Sequence, residues 1–215
     1  MAIFTLPYQT EVNKVIPKNA FDSYINTAQK KQFIDLVSKI FWVNKLSPDS
    51  INLPAGEVKE IQVFEITLKS EANIKSILEI IDKSIPYHII FIVYLDSSFY
   101  ISASAKHPNP LNENNTVIDW TFKSDWLPIS ENNLKLDLKK NLDYVFTDLC
   151  LKITGTTSVS NTNLDSLVSS TKEKEKLKKE IERLKCAISK SKQFNQKVEL
   201  NLKLKQVELL LFKAE

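Results

Sequence analysis

The last quarter of the chain carries two apolar stripes whose spacing is typical of a pair of packed helices. Both stripes repeat at intervals of 4, 3 and 4 residues, as one face of a coiled-coil helix does. The first is Leu177, Ile181, Leu184 and Ile188, and the second is Leu200, Leu204, Val207 and Leu211. The gap of 12 residues from Ile188 to Leu200 continues no heptad, so we expect a turn near Lys192 to Asn195 and an antiparallel hairpin. Such a hairpin needs its partner arm, the rest of the chain or another chain against its stripes.

A polar segment separates this hairpin from the rest of the chain. Gly155 to Ser170, with the sequence GTTSVSNTNLDSLVSS, is small, hydroxyl-bearing and almost uncharged, which is typical of a linker. The charge also divides here, because Lys172 to Glu215 has a net charge of +6 and the residues before it have −3. We therefore predict a domain over residues 1–154, a linker over 155–170 and a basic helical hairpin over 171–215.

The periodicity of residues 1–154 changes repeatedly between helix and strand. After an extended lead-in with one helical turn near Glu11 to Val15, the predicted elements are a helix over Ala28–Lys45, a strand over Glu60–Ser70, a helix over Glu71–Ile85, strands over Tyr87–Leu95 and Phe99–Ala105, a loop over His107–Asn115, a strand over Val117–Phe122 and a helix from Leu138 to Ile153. The first strand, the helix after it and the next strand suggest one crossover unit. The fold class is therefore α+β, with helices on one face of a mainly antiparallel sheet of about four strands.

Composition excludes several classes of protein. Two glycines in 215 residues argue against phosphate-binding glycine loops and dinucleotide folds. The longest apolar run, Ile89 to Leu95, is too short to span a bilayer, and no leading segment resembles a secretion signal, so we expect a cytoplasmic protein without membrane contact. Cys150 and Cys186 have no second cysteine or histidine at ligand spacing, which favours neither a disulfide nor a zinc site. No metal and no small-molecule cofactor is expected.

The acidic residues around the first long strand are the sharpest candidate for catalysis. Glu57, Glu60, Glu65 and Lys69 are the residue types that a metal-dependent nuclease of the PD-(D/E)xK kind uses to hold Mg²⁺ and to steer a water molecule. The spacing does not match that motif, which places its acid and its lysine two positions apart. Glu65 and Lys69 lie four positions apart, about 13 Å along a strand. Glu57 and Lys59 have the right interval, but they follow a loop. A solvated strand face is the simpler interpretation, and the nuclease stays an alternative.

The two histidines give little support for a hydrolase. His88 opens an apolar strand, where a packed or edge residue is expected, and His107 precedes a proline in a loop. A catalytic triad would need one of them beside Ser102 or Ser104 together with an acid, and no nucleophile elbow is present.

The basic residues of the hairpin could contact DNA phosphates. The candidates are Lys178, Lys179, Arg183, Lys185, Lys190, Lys192 and Lys197. However, lysine outnumbers arginine twelve to one from Lys172 onward, and only Phe194 and Phe212 are aromatic there, which leaves little capacity for bidentate or stacking contacts. Protein docking through the apolar stripes is therefore favoured over DNA binding. The aromatic residues Tyr94, Phe99, Tyr100, Trp120, Phe122 and Trp126 either form a partner pocket or fill the core.

Five segments of the chain resemble the bacterial domain-of-unknown-function family 4391. They are LPYQTEVNKVIPKNAF, EIQVFEITLK, EIIDKSIPYHIIF, SDWL and KQFNQKVELNLKLK, which together span nearly the whole sequence. The resemblance implies no catalytic residues. It does imply a gene neighbourhood of helicases and DNA methyltransferases from restriction or phage-defence systems. The resulting hypothesis is a non-catalytic adaptor whose hairpin docks such a partner or a second copy of the chain.

Overall fold

The computed structural model describes residues 3–155 and 162–214, and seven strands within these ranges form one sheet. They are β1 (Glu11–Val15), β2 (Val37–Leu46), β3 (Ile61–Leu68), β4 (His88–Leu95), β5 (Ser98–Asn109), β6 (Asn112–Lys123) and β7 (Leu127–Pro128). Strands β1 to β6 lie side by side in chain order, and β7 pairs with the start of β5. The α+β class is confirmed, but the expected sheet of about four strands is too small.

Four helices accompany the sheet in residues 3–155. They are α1 (Thr27–Leu36), the single turn α2 (Pro48–Ile51), α3 (Lys75–Ser84) and α4 (Leu142–Ile153). A capping box starts α1, in which the Asn26 side chain accepts a hydrogen bond from the Gln29 amide and the Gln29 side chain accepts one from the Asn26 amide. Short 3₁₀ turns cover Tyr8–Thr10, Lys18–Tyr24 and Ile129–Glu131.

The predicted crossover unit is present as β3, α3 and β4. Strands β3 and β4 are parallel, with Ile61 opposite His88 and Thr67 opposite Tyr94, whereas the other strand pairs of the sheet are antiparallel. The apolar positions of α3, including Ile77 and Ile81, are buried in one core with alternate residues of β3 and β4. A parallel pair needs such a helical connection, which explains why the sheet is mixed.

Helices cover both faces of the sheet, in contrast to the one-faced packing expected from sequence. The core beneath α3 contains Ile89, Phe91 and Val93 of β4. Because side chains alternate along a strand, His88 lies on the opposite face, where its ring meets Phe146 of α4 edge-on at 4.7 Å. The apolar run of β4 is buried on both sides for this reason.

The predicted helix over Ala28–Lys45 is wrong beyond Leu36. The helix ends there, and β2 begins at Val37 without an intervening loop. Residues 37–43, VSKIFWV, are rich in β-branched and aromatic side chains. Strand β2 pairs with β3 from Val37 opposite Leu68 to Leu46 opposite Ile61. The lead-in likewise contains a strand, β1, where a helical turn was expected.

The predicted loop over His107–Asn115 is also wrong. Strand β5 continues to Asn109, and β6 begins at Asn112, so the segment forms a tight hairpin. Strand β4 pairs with β5 only as far as Ala103, so Pro108 lies where no amide is needed on that side of β5.

Residues 165–215 form a second compact unit, separate from the unit over residues 1–164. Its helices are α5 (Leu164–Lys190) and α6 (Phe194–Ala214). Residues of α5 and α6 that lie far from the connecting turn line one groove, so the helices run antiparallel. The expected C-terminal helical pair is confirmed. Helix α5 begins inside the predicted linker, of which residues 156–161 lie outside the described residues.

Candidate functional site

The two predicted apolar stripes form the covered side of the hairpin. In α5, Ile181 and Leu184 are buried, while Leu177 and Ile188 are half-buried. All four members of the second stripe, from Leu200 to Leu211, are half-buried. The groove between the helices is lined by Lys178, Ile181, Glu182, Lys185, Glu208, Leu211 and Phe212. The structure therefore places the stripes toward the inside of the hairpin rather than on its free surface.

A second apolar face of α6 was missed by the sequence reasoning. Its residues are largely exposed, with Phe194 79%, Val198 44%, Leu202 60%, Leu209 54% and Phe212 76% accessible to solvent. With 3.6 residues per turn, Val198, Leu202 and Leu209 lie on the side of α6 opposite the predicted stripe. The signal that could have revealed this face is the spacing of these side chains, which Lys205 interrupts. We call Val198, Leu202, Lys205, Leu209 and Phe212 the outer seam.

The candidate DNA-contacting residues do not form one patch. Lys178 and Lys185 border the groove toward α6, whereas Lys179, Arg183 and Lys190 lie on the far side of α5. The Arg183 guanidinium donates two hydrogen bonds of 2.7 Å to Glu180, which lowers the pKa of that carboxyl group. Lys179 and Lys185 lie 3.7 and 3.6 Å from Glu175 and Glu182. These pairs are typical of a solvated helix face.

The acidic residues proposed for a nuclease lie apart from one another. Glu60 is buried, pairs with Lys45 at 3.0 Å and accepts a 2.8 Å hydrogen bond from Gln62. Glu65 accepts a 3.1 Å bond from the Tyr94 hydroxyl, and Lys69 donates to the Ile34 carbonyl at 2.7 Å. The side chain of Glu57 is exposed.

Glu60, Glu65 and Lys69 are therefore each engaged by a different partner. Within residues 3–155 and 162–214, no group of three or more acidic, histidine or cysteine side chains could hold a metal ion. In the same ranges, no helix is long and apolar enough to cross a bilayer.

His88 lies in a buried polar site at the start of β4. Burial and, to a lesser extent, the charge of Lys106 lower its pKa to about 4, and Asp143 opposes the shift. The Nε2 atom of His88 and the Oδ2 atom of Asp143 are buried without a hydrogen-bond partner among the described residues. The other oxygen of Asp143, Oδ1, accepts the amides of Glu57 and Val58 at 2.9 and 3.1 Å. This carboxylate therefore joins α4 to the segment before β3.

His107 lies beside an acidic residue but has no described contact with a serine. Nδ1 of His107 lies 2.8 Å from Oδ2 of Asp119 on the neighbouring strand, and both side chains are partly exposed. The Ser104 hydroxyl instead lies 3.1 Å from that of Thr121, so no described contact links either of these groups to His107. The pair is a cross-strand ion pair when His107 is protonated, not part of a triad.

A cleft of about 460 Å³ lies between α3 and the hairpin of β5 and β6. Its floor is formed by alternate residues of β5, Tyr100, Ser102 and Ser104, which are almost fully buried. The Lys123 ammonium lies 4.2 Å from the centre of the Tyr100 ring, and the edge of Trp126 meets the same ring at 4.7 Å. Three of the expected aromatic residues thus lie at or beside the cleft, since Trp120 also lines it, whereas Phe99 and Phe122 are buried in the core.

Lys106 and Asp82 form the most deeply buried ion pair of the described residues. The Lys106 ammonium donates to the Asp82 carboxylate at 2.7 Å and to the carbonyls of Asp82 and Ile85 at 2.7 and 2.8 Å. All three of its protons are therefore used. Burial lowers the pKa of Lys106 and raises that of Asp82, while their mutual attraction opposes both shifts. The pair fastens the end of α3 to β5 and has no free donor for a substrate.

These features define the chain as an α+β protein in two units, a mixed-sheet body followed by a helical hairpin with an exposed apolar face. The family model described as "Domain of unknown function (DUF4391)" matches residues 4–211, and the chain belongs to this family. The resemblance seen in the five sequence segments is thereby confirmed. No curated protein and no solved structure gives a significant match.

Proposed function

We propose that the protein is a non-catalytic accessory protein of the cytoplasm that docks a larger protein through its C-terminal hairpin. The observation that supports this proposal is the outer face of α6, where Phe194, Leu202 and Phe212 are each at least 60% exposed. Large apolar side chains clustered on one helix face cost free energy in water and are typical of interaction surfaces.

The proposed partner is a helicase or a DNA methyltransferase of a restriction or phage-defence system. This part of the proposal rests on the gene neighbourhood that the family resemblance implies. Helices with heptad spacing are recognised by other amphipathic helices, so the partner surface is expected to be a helix or a hydrophobic groove.

Co-purification tests this proposal. The tagged full-length chain is co-expressed with a helicase or methyltransferase encoded beside it, and the partner recovered on the tag is quantified. We expect Leu202→Glu to reduce recovery at least about tenfold, because it places a charge in the apolar contact. Leu210→Glu is the matched control, because Leu210 is also exposed but lies outside the outer seam. Failure of the wild-type chain to recover either enzyme would contradict the proposal.

A DNA-binding role for α5 is the second candidate. Lys172, Lys176, Lys179, Arg183 and Lys190 recur at intervals of 4, 3, 4 and 7 residues, which places them along one side of the helix. Such a row could follow a phosphate backbone, although four glutamates of α5 offset part of its charge. The nuclease alternative has less support, because Glu60, Glu65 and Lys69 each have a different partner.

A further inference from the structure

The outer seam has the spacing of a coiled-coil interface in its own right. From Val198 to Phe212 its residues recur at intervals of 4, 3, 4 and 3, so Leu202 and Leu209 occupy equivalent a positions and Val198, Lys205 and Phe212 occupy d positions. The predicted stripe of α6 has its own 4, 3, 4 spacing on the other side of the helix. One stripe faces into the hairpin, and the outer seam is exposed to solvent, although Phe212 at its end also borders the groove between α5 and α6.

We infer that the outer seam binds the outer seam of a second copy of this chain, as an antiparallel pair of α6 helices. The inference rests on the proposed function in treating the outer face of α6 as an association surface, and a second copy and the larger partner would occupy that surface in turn, not together. A seam of heptad spacing is complemented by a helix of the same spacing, and a second copy supplies that helix. A two-fold pair of this kind is closed and self-complementary.

The exposed area is sufficient for a specific dimer. Aromatic side chains offer about 150–250 Å² each and aliphatic ones somewhat less, so the exposed parts of the four apolar seam side chains and of the neighbouring Phe194 amount to roughly 500 Å². The exposed fractions are 79% for Phe194, 44% for Val198, 60% for Leu202, 54% for Leu209 and 76% for Phe212. Two copies would bury on the order of 1,000 Å², which is the lower limit for a stable protein interface.

Lys205 determines the orientation of the pair. In a parallel pair in register, each Lys205 would meet the Lys205 of the second copy inside the seam, where two like charges would lose water and repel. In an antiparallel pair a positions face d positions, so Lys205 faces Leu202 of the second copy and Leu209 faces Val198 of the second copy. The lysine stems then cover leucine side chains while the ammonium groups reach solvent at the flank.

Sedimentation equilibrium of the purified full-length chain tests the inference without any other protein. We expect a reversible dimer at micromolar concentrations. Leu209→Glu should raise the dimer Kd at least about 100-fold, because each copy loses a buried leucine and would bury a charge. Leu210→Glu is the control, since Leu209 and Leu210 are both 54% exposed but only Leu209 lies in the outer seam. A wild-type chain that stays monomeric, or equal effects of the two variants, would overturn the inference.

Two further variants separate a lost interface from a misfolded helix and test the orientation. Lys205→Leu should lower the dimer Kd at least about tenfold, a gain that misfolding cannot produce. In a Cys186→Ser background, Leu202→Cys mixed with Lys205→Cys should form a disulfide-linked dimer, while Lys205→Cys alone should not. Cross-linking of Lys205→Cys with itself would overturn the antiparallel register. Dimerisation without recovery of a helicase or methyltransferase would reject only the proposed function.

Discussion

At the scale of single residues, His88 couples the stability of the sheet to pH. Its folded pKa of about 4 lies below the ordinary value of 6.5, because burial disfavours the imidazolium ion. The unfolded chain therefore takes up a proton near pH 6.5, whereas the folded chain does so only near pH 4. Stability from the neutral ring is fully present above pH 6.5 and is lost as the pH falls toward 4.

We expect the free energy of unfolding to fall by roughly 2 kcal/mol between pH 7 and pH 5 through His88 alone. Urea unfolding followed by tryptophan fluorescence measures it, because Trp42, Trp120 and Trp126 all lie in the unit over residues 1–164. His88→Leu keeps an apolar contact with Phe146 and removes the titrating group. The free energy of unfolding of this variant should therefore fall less between pH 7 and pH 5, by about the amount that His88 contributes. An unchanged pH dependence in His88→Leu would show that the ring is not the titrating group.

At the scale of elements, the segment before β3 is hydrogen-bonded to α4 and packs tightly against it. Leu142 donates its amide to the Pro54 carbonyl at 3.0 Å, and Asp143 accepts the amides of Glu57 and Val58. A Cβ atom on Gly56 would lie 2.1 Å from Oδ2 of Asp143, which is far inside van der Waals contact. Only glycine fits here, because Asp143 cannot withdraw without losing the two amides.

Gly56→Ala is therefore expected to destabilise the unit over residues 1–164 by about 2 kcal/mol or more, through overpacking and strained hydrogen bonds. Gly155→Ala is the comparison, because Gly155 has a φ of +66° but a Cβ atom added there would meet no described atom within 4 Å. Its cost should be about 1 kcal/mol, from backbone conformation alone. Thermal unfolding of the two variants measures the difference, and equal costs would argue against the tight contact at Asp143.

The elements that sequence could predict are those whose apolar pattern fits one period. Helix α3 fits the helical period and strand β3 fits two-residue alternation, and the crossover that they form with β4 was predicted correctly. The pattern of Phe33, Val37, Ile40 and Phe41 fits a helix, yet only Phe33 belongs to one, because pairing of β2 with β3 overrides the local periodicity. Strand β1 is short and mostly polar, so its place in the sheet depends on β2 and could not be read locally.

The candidate site on the hairpin could be predicted from sequence only in part, because local patterns do not show which helix face is covered in the folded protein. The inner stripes of the hairpin follow an uninterrupted repeat, whereas Lys205 interrupts the outer seam. Which stripe stays uncovered is a property of the folded hairpin rather than of either pattern. The engagement of Glu60 with Lys45 and of Glu65 with Tyr94 likewise depends on the register between neighbouring strands, which the sequence does not give.

At the scale of the whole molecule, charge and apolar surface are unevenly shared between the two units. The hairpin region from Lys172 has a net charge of +6, and it also carries the outer seam. Dimerisation through this region and DNA binding by it should therefore respond to salt in opposite directions. Apolar association of two positively charged copies is opposed by repulsion, which salt screens, whereas DNA binding releases counterions and is weakened by salt.

We expect raising NaCl from about 50 to about 500 mM to leave the dimer Kd unchanged or to lower it, while any affinity for duplex DNA falls by at least about tenfold. Sedimentation equilibrium and fluorescence anisotropy with a labelled duplex give the two dependences. The variants Lys179→Ala and Arg183→Ala should affect only the DNA signal. A dimer that dissociates with added salt would indicate an ionic contact in place of the apolar seam.

Strand β1 ends the sheet, and its pairing with β2 is broken by a bulge between Glu11 and Lys14, where Asn13 has a φ of +53°. A short, bulged and lysine-bearing strand is a poor template for another chain. This rim of the sheet is thereby protected against fibril-like stacking and aggregation in a crowded cell.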